Sequence, residues 1–184
     1  MLLLYVLMPL MLLFPGRVAK EAYLLVRGAR ITVQAATSLG DIHCSYFKNR
    51  QGDTLYLNRQ VVPQERLVLN LAVKDFGCGN LLLTRDFRRT LKSGDYPMVR
   101  VEVLELVQDG QRYLGKLRLQ LAGKTQVLQG VNFCRQSGQK LSTKLCLSFL
   151  DYDLSTPQKL GGLVKVEEEL QVTVELLLAP QTYQ

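Results

Sequence analysis

The chain has 184 residues, a formal net charge of +7, four cysteines and a single histidine. That length makes one domain with room for a sizeable core. It contains no G-x-S-x-G elbow, no P-loop and no paired-cysteine or His-rich metal spacing, which removes the commonest catalytic and metal-binding signatures.

The first fourteen residues, Met1 to Phe14, carry no charge and are overwhelmingly apolar, and Pro15-Gly16 ends the run. The run is too short to span a membrane as a helix and suits the apolar region of a secretory signal. Residues 1–22 are therefore expected to be a signal peptide, with Ala19 or Ala22 the last residue removed, and 23–184 the mature domain. An uncleaved anchor or a misassigned start is the alternative, since no Lys or Arg precedes the run and no clean A-x-A site follows it. No cysteine precedes Cys44, so a lipidated N-terminal cysteine is excluded. The expected location is the periplasm or the medium. In an exported chain the basic balance points to anionic lipid headgroups or polysaccharide rather than nucleic acid.

Period-two alternation dominates the rest. It predicts strands over 23–33, 41–48, 53–58, 65–74, 98–107, 111–121, 124–135, 139–150 and 165–178. Leu67, Leu69, Leu71 and Val73 share one strand face; Val99, Val101 and Val103 share another before Leu104 and Leu106 switch parity, as at a bulge. Leu117, Leu119 and Leu121 repeat the pattern, as do Leu145, Leu147 and Phe149. The longest apolar face is Leu170, Val172, Val174, Leu176 and Leu178. Turns are expected at Asp109-Gly110, Ala122-Gly123-Lys124 and Ser137-Gly138. One helix interrupts the strands, over about 84–93. Thr84 is its expected N-cap, Asp86 its first-turn acid, and Lys92 and Gly94 its close. Leu83, Phe87 and Leu91 share one helix face, with Arg85, Arg88, Arg89 and Lys92 opposite. Strands with one apolar face, tight turns and a lone helix make an all-β, antiparallel barrel of about eight strands with a short lid.

The order Asp75-Phe76-Gly77-Cys78-Gly79-Asn80, Thr84-Arg85-Asp86-Phe87…Leu91-Lys92, Tyr96-Pro97 resembles the YceI-like, polyisoprenoid-binding family, closest to the secreted members found in Bacteroidota. Leu25-Val26-Arg27-Gly28 with Asp41-Ile42-His43-Cys44-Ser45-Tyr46, Leu119 to Thr125, and Asp151-Tyr152-Asp153-Leu154…Pro157…Gly161 to Val166 agree in order and spacing. The match runs over roughly residues 23–178. The resemblance implies a lipocalin-like barrel that holds an apolar ligand of isoprenoid or quinone type and needs no cofactor.

With that implication, the expected ligand wall is Leu69, Leu71, Val101, Leu117, Leu119, Leu147, Phe149, Val172 and Val174, with Phe87 and Leu91 closing the mouth. Periodicity alone fits a filled core equally well, and with it a non-catalytic envelope interaction module acting through its basic surface. Arg85, Arg88, Arg89 and Lys92 are expected to meet an anionic membrane surface, the alternative being an ordinary solvated helix face. No oligomeric state follows from the sequence. His43 adjoins Cys44, but neighbouring strand residues face opposite ways, so the two make no nucleophile pair. Asp151 and Asp153 share a strand face and fit either a cation or, more simply, a turn. No enzyme is expected. A Cys44–Cys78 disulfide would pin the lid to the barrel, while the expected hairpin sets Cys134 opposite about residue 141, out of reach of Cys146. Four free, buried thiols are the alternative.

Protein recovered from the periplasm or medium should begin near residue 23. N-terminal sequencing that finds Met1 on membrane-embedded protein overturns the export reading.

Overall fold

The structure, a computed structural model, describes residues 23–110, 112–136, 139–156 and 165–180, without the side chains of 50 and 51. The expected signal segment 1–22, the expected turn at Ser137-Gly138 and residues 157–164 lie outside the described residues. Eight antiparallel strands form one sheet in the order β2-β1-β8-β7-β6-β5-β4-β3, curled into a half-barrel around a Leu- and Val-rich core. They are β1 (Tyr23–Thr37), β2 (Ile42–Tyr56), β3 (Val68–Ala72), β4 (Met98–Asp109), β5 (Arg112–Leu121), β6 (Lys124–Gln136), β7 (Lys140–Ser148) and β8 (Val166–Leu178). Among the described residues no helix is long and apolar enough to cross a membrane.

The expected alternation holds on most strands, and the parity switch in β4 falls where the β4–β5 register shifts between Val103 and Glu105. Two expected strands, 41–48 and 53–58, are one. Val26 pairs with Asp53 and Gly28 with Asn49, so residues 50–52 bulge out of a continuous β2. Gly52, in the gap left between those two expected strands, takes a φ of 50° inside that bulge. Bulging lets β1 change faces: Leu24 and Val26 point inward before it, and Ala29, Ile31 and Val33 after it. The strand expected over 65–74 shrinks to β3, because a 3-10 turn, Val73–Asp75, ends it early. The strand expected over 139–150 ends at Ser148, where Phe149 and the 3-10 turn Leu150–Tyr152 begin.

The lid helix, α1 (Leu81–Thr90), starts three residues before its expected cap. Asn80 is the N-cap, its Oδ1 accepting from Leu83 N at 2.8 Å. Thr84 lies within the helix, where its hydroxyl donates to Asn80 O and accepts from Cys78 N. Asp86 is beyond the first turn and pairs with Arg89 at 2.9 Å. At the other end Lys92 adopts a left-handed φ of 52°, and Lys92 N and Ser93 N donate to Arg89 O and Arg88 O. This is the Schellman arrangement with lysine in the position glycine usually takes, so Gly94 falls too late to close the helix.

The edge strands β2 and β3 meet through few bonds. Ser45 and Gly77 exchange two backbone hydrogen bonds, at 2.9 and 3.0 Å, and beside them Cys44 and Cys78 form a disulfide. At the opposite end Asn58 N donates to Leu106 O, and Asn58 Oδ1 accepts from Gln108 N. On the outer face Glu102, only 6% exposed, accepts from Arg66 and Arg118 at 2.9 Å each. Arg66 also donates to Val61 O, so this clamp ties the loop before β3 to the sheet. Burial alone raises the Glu102 pKa, but hydrogen bonds from Arg66 and Arg118, with their charges, outweigh it and hold the carboxyl below its ordinary value.

Cys134 stands opposite Ser142, one residue from the expected partner. Cys146 lies four residues further along β7, about 13 Å at about 3.3 Å per residue, and Cys134 and Cys146 are exposed and free.

Non-reducing peptide mapping should join the Cys44 and Cys78 peptides and leave Cys134 and Cys146 unlinked. Cys78→Ser should lower stability by about 2–5 kcal/mol; a 134–146 link would overturn the hairpin register.

Glu102→Gln should cost about 1–3 kcal/mol near neutral pH, the lower half being favoured because Arg118 is partly in solvent. A carboxyl whose folded pKa is lowered stabilises fully above its unfolded value, about 4.3, and loses that contribution as pH falls through the folded value. Melting curves of the two proteins should therefore begin to converge as pH falls below about 4.3 and merge once it has passed the lowered folded value; a gap independent of pH would show that the charge is not what matters.

Candidate functional site

Inward faces of seven strands, the β3–α1 crossover and α1 enclose an apolar cavity of about 80 Å³. Leu69 and Leu71 of β3, Val101 of β4, Leu117 and Leu119 of β5, Leu147 of β7, and Val172 and Val174 of β8 are in its wall, with Phe87 and Leu91 of the lid. A second cavity of about 50 Å³ lies under the lid, and Phe149 is in its wall. The two share Val33, Phe87, Leu91 and Leu170. Phe87 and Leu91 thus form part of the partition between them. Neither space approaches the roughly 300–1,000 Å³ of a small-molecule pocket. In this closed form the interior is a slot between packed side chains, short of a continuous chamber.

Sequence periodicity overlooked several wall residues. Ile31 and Val33 of β1 are displaced in parity by the irregularity that sets Val26 and Gly28 against the consecutive Leu178 and Leu177 of β8, and Phe133 of β6 lies beyond the irregularity at Gly130. Phe76, on the crossover, belongs to no alternating run. Its ring stands 5.1 Å from Tyr46 and 5.4 Å from Phe87, an aromatic row from β2 to the lid. A plausible signal for it was present in the Asp75-Phe76-Gly77 turn itself, where a large apolar side chain beside a glycine marks a loop that packs inward.

The lid is fastened at both ends. The disulfide and Thr84 hold its start, and Arg88 donates to the carbonyls of Lys74 and Phe76. At its end Lys92 Nζ donates to Asp153 O at 2.8 Å, while the Tyr96 ring lies over Gly123, where any Cβ would stand 2.6 Å from it. The four cations expected at a membrane therefore differ in situation. Arg85 and Arg89 are exposed, Arg89 while paired with Asp86; Arg88 is half-buried on its carbonyls, and exposed Lys92 bonds its own fold.

The wall also forks. β6 and β7 pair only at Cys134–Ser142, Arg135–Leu141 and Gln136–Lys140. Towards the lid β6 stays with β5 and β7 with β8, and the 3-10 turn Leu150–Tyr152 spans the gap. Gln126 Nε2 donates to Asp151 O, and Lys124 pairs with Asp153, which binds that turn to β6. Asp151 and Asp153 are thus on a turn rather than a strand, and Asp153 takes a left-handed φ of 50°. The Tyr152 ring is buried there, and burial, then the Asp151 charge, push its hydroxyl up to about 12. No ionisable side chain is in the wall of the larger cavity, and Asp86 alone touches the smaller one. Such an interior offers apolar area, about 25 cal/mol per Å² removed from water, and no counter-charge for an ion.

No protein-family model matches the chain, and no curated protein matches it in sequence. Solved structures do match. A polyisoprenoid-binding domain from Saccharophagus degradans, implicated in plant cell wall breakdown, aligns with a TM-score of 0.61 at 15% identity, over 88% of this chain and 100% of that one. BcnA of Burkholderia cenocepacia aligns with a TM-score of 0.58 at 14% identity, over 82% of this chain and 96% of that one. The YceI protein of Campylobacter jejuni gives 0.50 at 11% identity, over 64% and 73%. An eight-stranded antiparallel half-barrel with one helix is common ground, and this chain has the YceI-like, lipocalin-like fold.

Proposed function

We propose that the protein is an exported, non-enzymatic carrier or storage barrel for a long apolar ligand of isoprenoid or quinone type. The observation that carries this reading is the cavity wall, made of aliphatic and aromatic side chains without an ionisable group, with its lid partition formed by Phe87 and Leu91. The similarity in fold to a polyisoprenoid-binding domain supports it. The closed cavity is too small for such a ligand, so binding requires Phe87 and Leu91 to move and the two spaces to merge. Because the lid is bonded at both ends, a shift of these side chains is a smaller change than release of the whole helix.

Exchange at an anionic membrane is part of the proposal. Leu39 in the β1–β2 turn, Leu81 and Leu82 at the start of α1, and Leu150 after β7 are all exposed at the lid end, Leu81 by 90%. Arg85 and Arg89 are exposed on the same helix. Apolar side chains set among cations suit the headgroup boundary of such a bilayer. The small cavity volume favours one competing reading, a packed envelope interaction module acting through its basic surface.

Mature protein extracted with organic solvent should release an apolar molecule, and the delipidated protein should rebind a polyprenyl or quinone chain. Leu119→Lys should abolish rebinding, with circular dichroism checking that the sheet persists. Phe87→Ala should speed ligand release while leaving the strand spectrum unchanged. If extraction yields nothing and no isoprenoid rebinds at micromolar concentration, the carrier reading fails and the interaction module replaces it.

A further inference from the structure

Among the described residues, the inner face of the sheet contains one hydroxyl without a partner. Thr143 is 4% exposed, and its Oγ1 is buried without a hydrogen bond. Its direction follows from the ladder. Thr143 pairs with Val174, and directly paired residues share a sheet face. Val174 is in the cavity wall, as are Leu145 and Leu147 on the same parity of β7 as Thr143. The hydroxyl therefore belongs to the apolar inner face, next to residues of the wall; Thr143 itself is not in the wall of the closed cavity and would join it only as the cavity widens to take a ligand.

Its place in the wall is also specific. Cys134–Ser142 is the last pair before β6 and β7 diverge, and Thr143 is the next residue towards the lid. At that level β6 contributes Phe133, whose ring occupies the space a Cβ on Gly115 would need, 2.8 Å away. Thr143 thus stands at the apex of the fork, where the neighbouring strand withdraws and leaves its side chain facing the interior. Valine has the same shape and the same preference for strands. Every other inward position of this part of β7 is leucine. A hydroxyl here costs desolvation and returns nothing to the ligand-free fold.

We propose that Thr143 Oγ1 is the polar anchor of the cavity, hydrogen-bonding a neutral group, a hydroxyl or a carbonyl, on an otherwise apolar ligand. The inference rests on the carrier reading and adds to it a residue that discriminates among ligands. A hydroxyl both donates and accepts, so either group satisfies it. The head must be neutral, because the cavity wall has no cation to pair with a phosphate or carboxylate. Apolar contacts measure only the length and bulk of a chain; this bond distinguishes a chain with a polar function from a plain hydrocarbon.

The test compares Thr143→Val and Thr143→Ser with the natural protein. Each is titrated with a prenyl alcohol, its matching hydrocarbon and its monophosphate, by displacement of an environment-sensitive apolar dye. The natural protein should prefer the alcohol over both others. Thr143→Val should weaken alcohol binding by about two- to tenfold and leave hydrocarbon binding unchanged or tighter, while Thr143→Ser keeps the preference. Ligand-free Thr143→Val should melt at the same temperature or higher; a lower one would mean that the hydroxyl serves the fold and would overturn the proposal. If both neutral ligands bind in the same ratio to natural and valine proteins, the anchor is wrong and the carrier reading stands. Tighter binding of the phosphate overturns the neutral head, and no binding of any ligand ends both readings.

Discussion

The seam between β2 and β3 is the constraint on which everything else rests. An eight-stranded sheet that does not close leaves two edges, each with unpaired backbone groups and one side open to the core. β3 limits the exposure by being five residues long. The crossover that follows it supplies Gly77, which pairs with Ser45, and Cys78, which bonds to Cys44. Two hydrogen bonds alone are a poor substitute for a ladder. The disulfide spans 34 residues of chain and keeps those two bonds in register by limiting how far their ends can part. It acts on the fold and the lid at once, because Cys78 N also donates to Thr84 inside α1. A chain that lost the seam would expose β2 and release the start of the lid in the same event.

From the seam the lid inherits its character. Its cysteine end is held covalently, its far end by Lys92 and Tyr96 on turns that belong to the opposite wall. A helix tied across a barrel mouth in this way moves least as a body and most through its side chains. Phe87 and Leu91 project from its inner face into the partition, and Phe87 stacks in a row with Phe76 and Tyr46. Rotation of Phe87 disturbs a ring contact worth about 0.5–1.5 kcal/mol; melting the helix would break its caps and backbone bonds together. The smaller disturbance is the one that a modest gain in buried apolar area can offset.

How much of this was legible in the sequence depended on the range of the cause. The alternation of Leu170 to Leu178 shows directly as the inner face of β8, because a period of two needs no partner to be read. The barrel and its lone helix followed from many such runs and from the order of the motifs. Bulges were harder. The polar stretch over residues 49–52 breaks the alternation when the pairing of Val26 with Asp53 is unknown, and so β2 divides in two. Asn80 yields to Thr84 in the sequence because Thr84 has the chemistry of a cap and Asp86 follows it closely, yet Leu81 and Leu82 are the exposed first turn of the helix. The fork between β6 and β7 leaves no local mark at all, since it depends on which neighbour each strand keeps. Thr143 was visible on the parity of Leu141, Leu145 and Leu147, but an isolated threonine in a strand is ordinary until its hydroxyl is found without a partner.

The fork also bears on where a ligand passes. Two strands that part towards the lid open the wall beside the exposed Leu150, and a single 3-10 turn spans the opening. That turn is held to β6 by one side-chain hydrogen bond to Asp151 O and one solvent-exposed ion pair, Lys124 with Asp153. The lid, by contrast, is held by a disulfide, a cap and an arginine on two carbonyls. Exposed ion pairs are worth at most about 1 kcal/mol and weaken with salt, so of the two covers the turn is the weaker. Under the carrier reading proposed above, that turn is a second place, beside the Phe87–Leu91 partition, where few bonds would have to break for an apolar chain to enter. Burial, then the Asp151 charge, push the Tyr152 hydroxyl up to about 12, so this phenol adds no charge of its own to the interior near neutral pH.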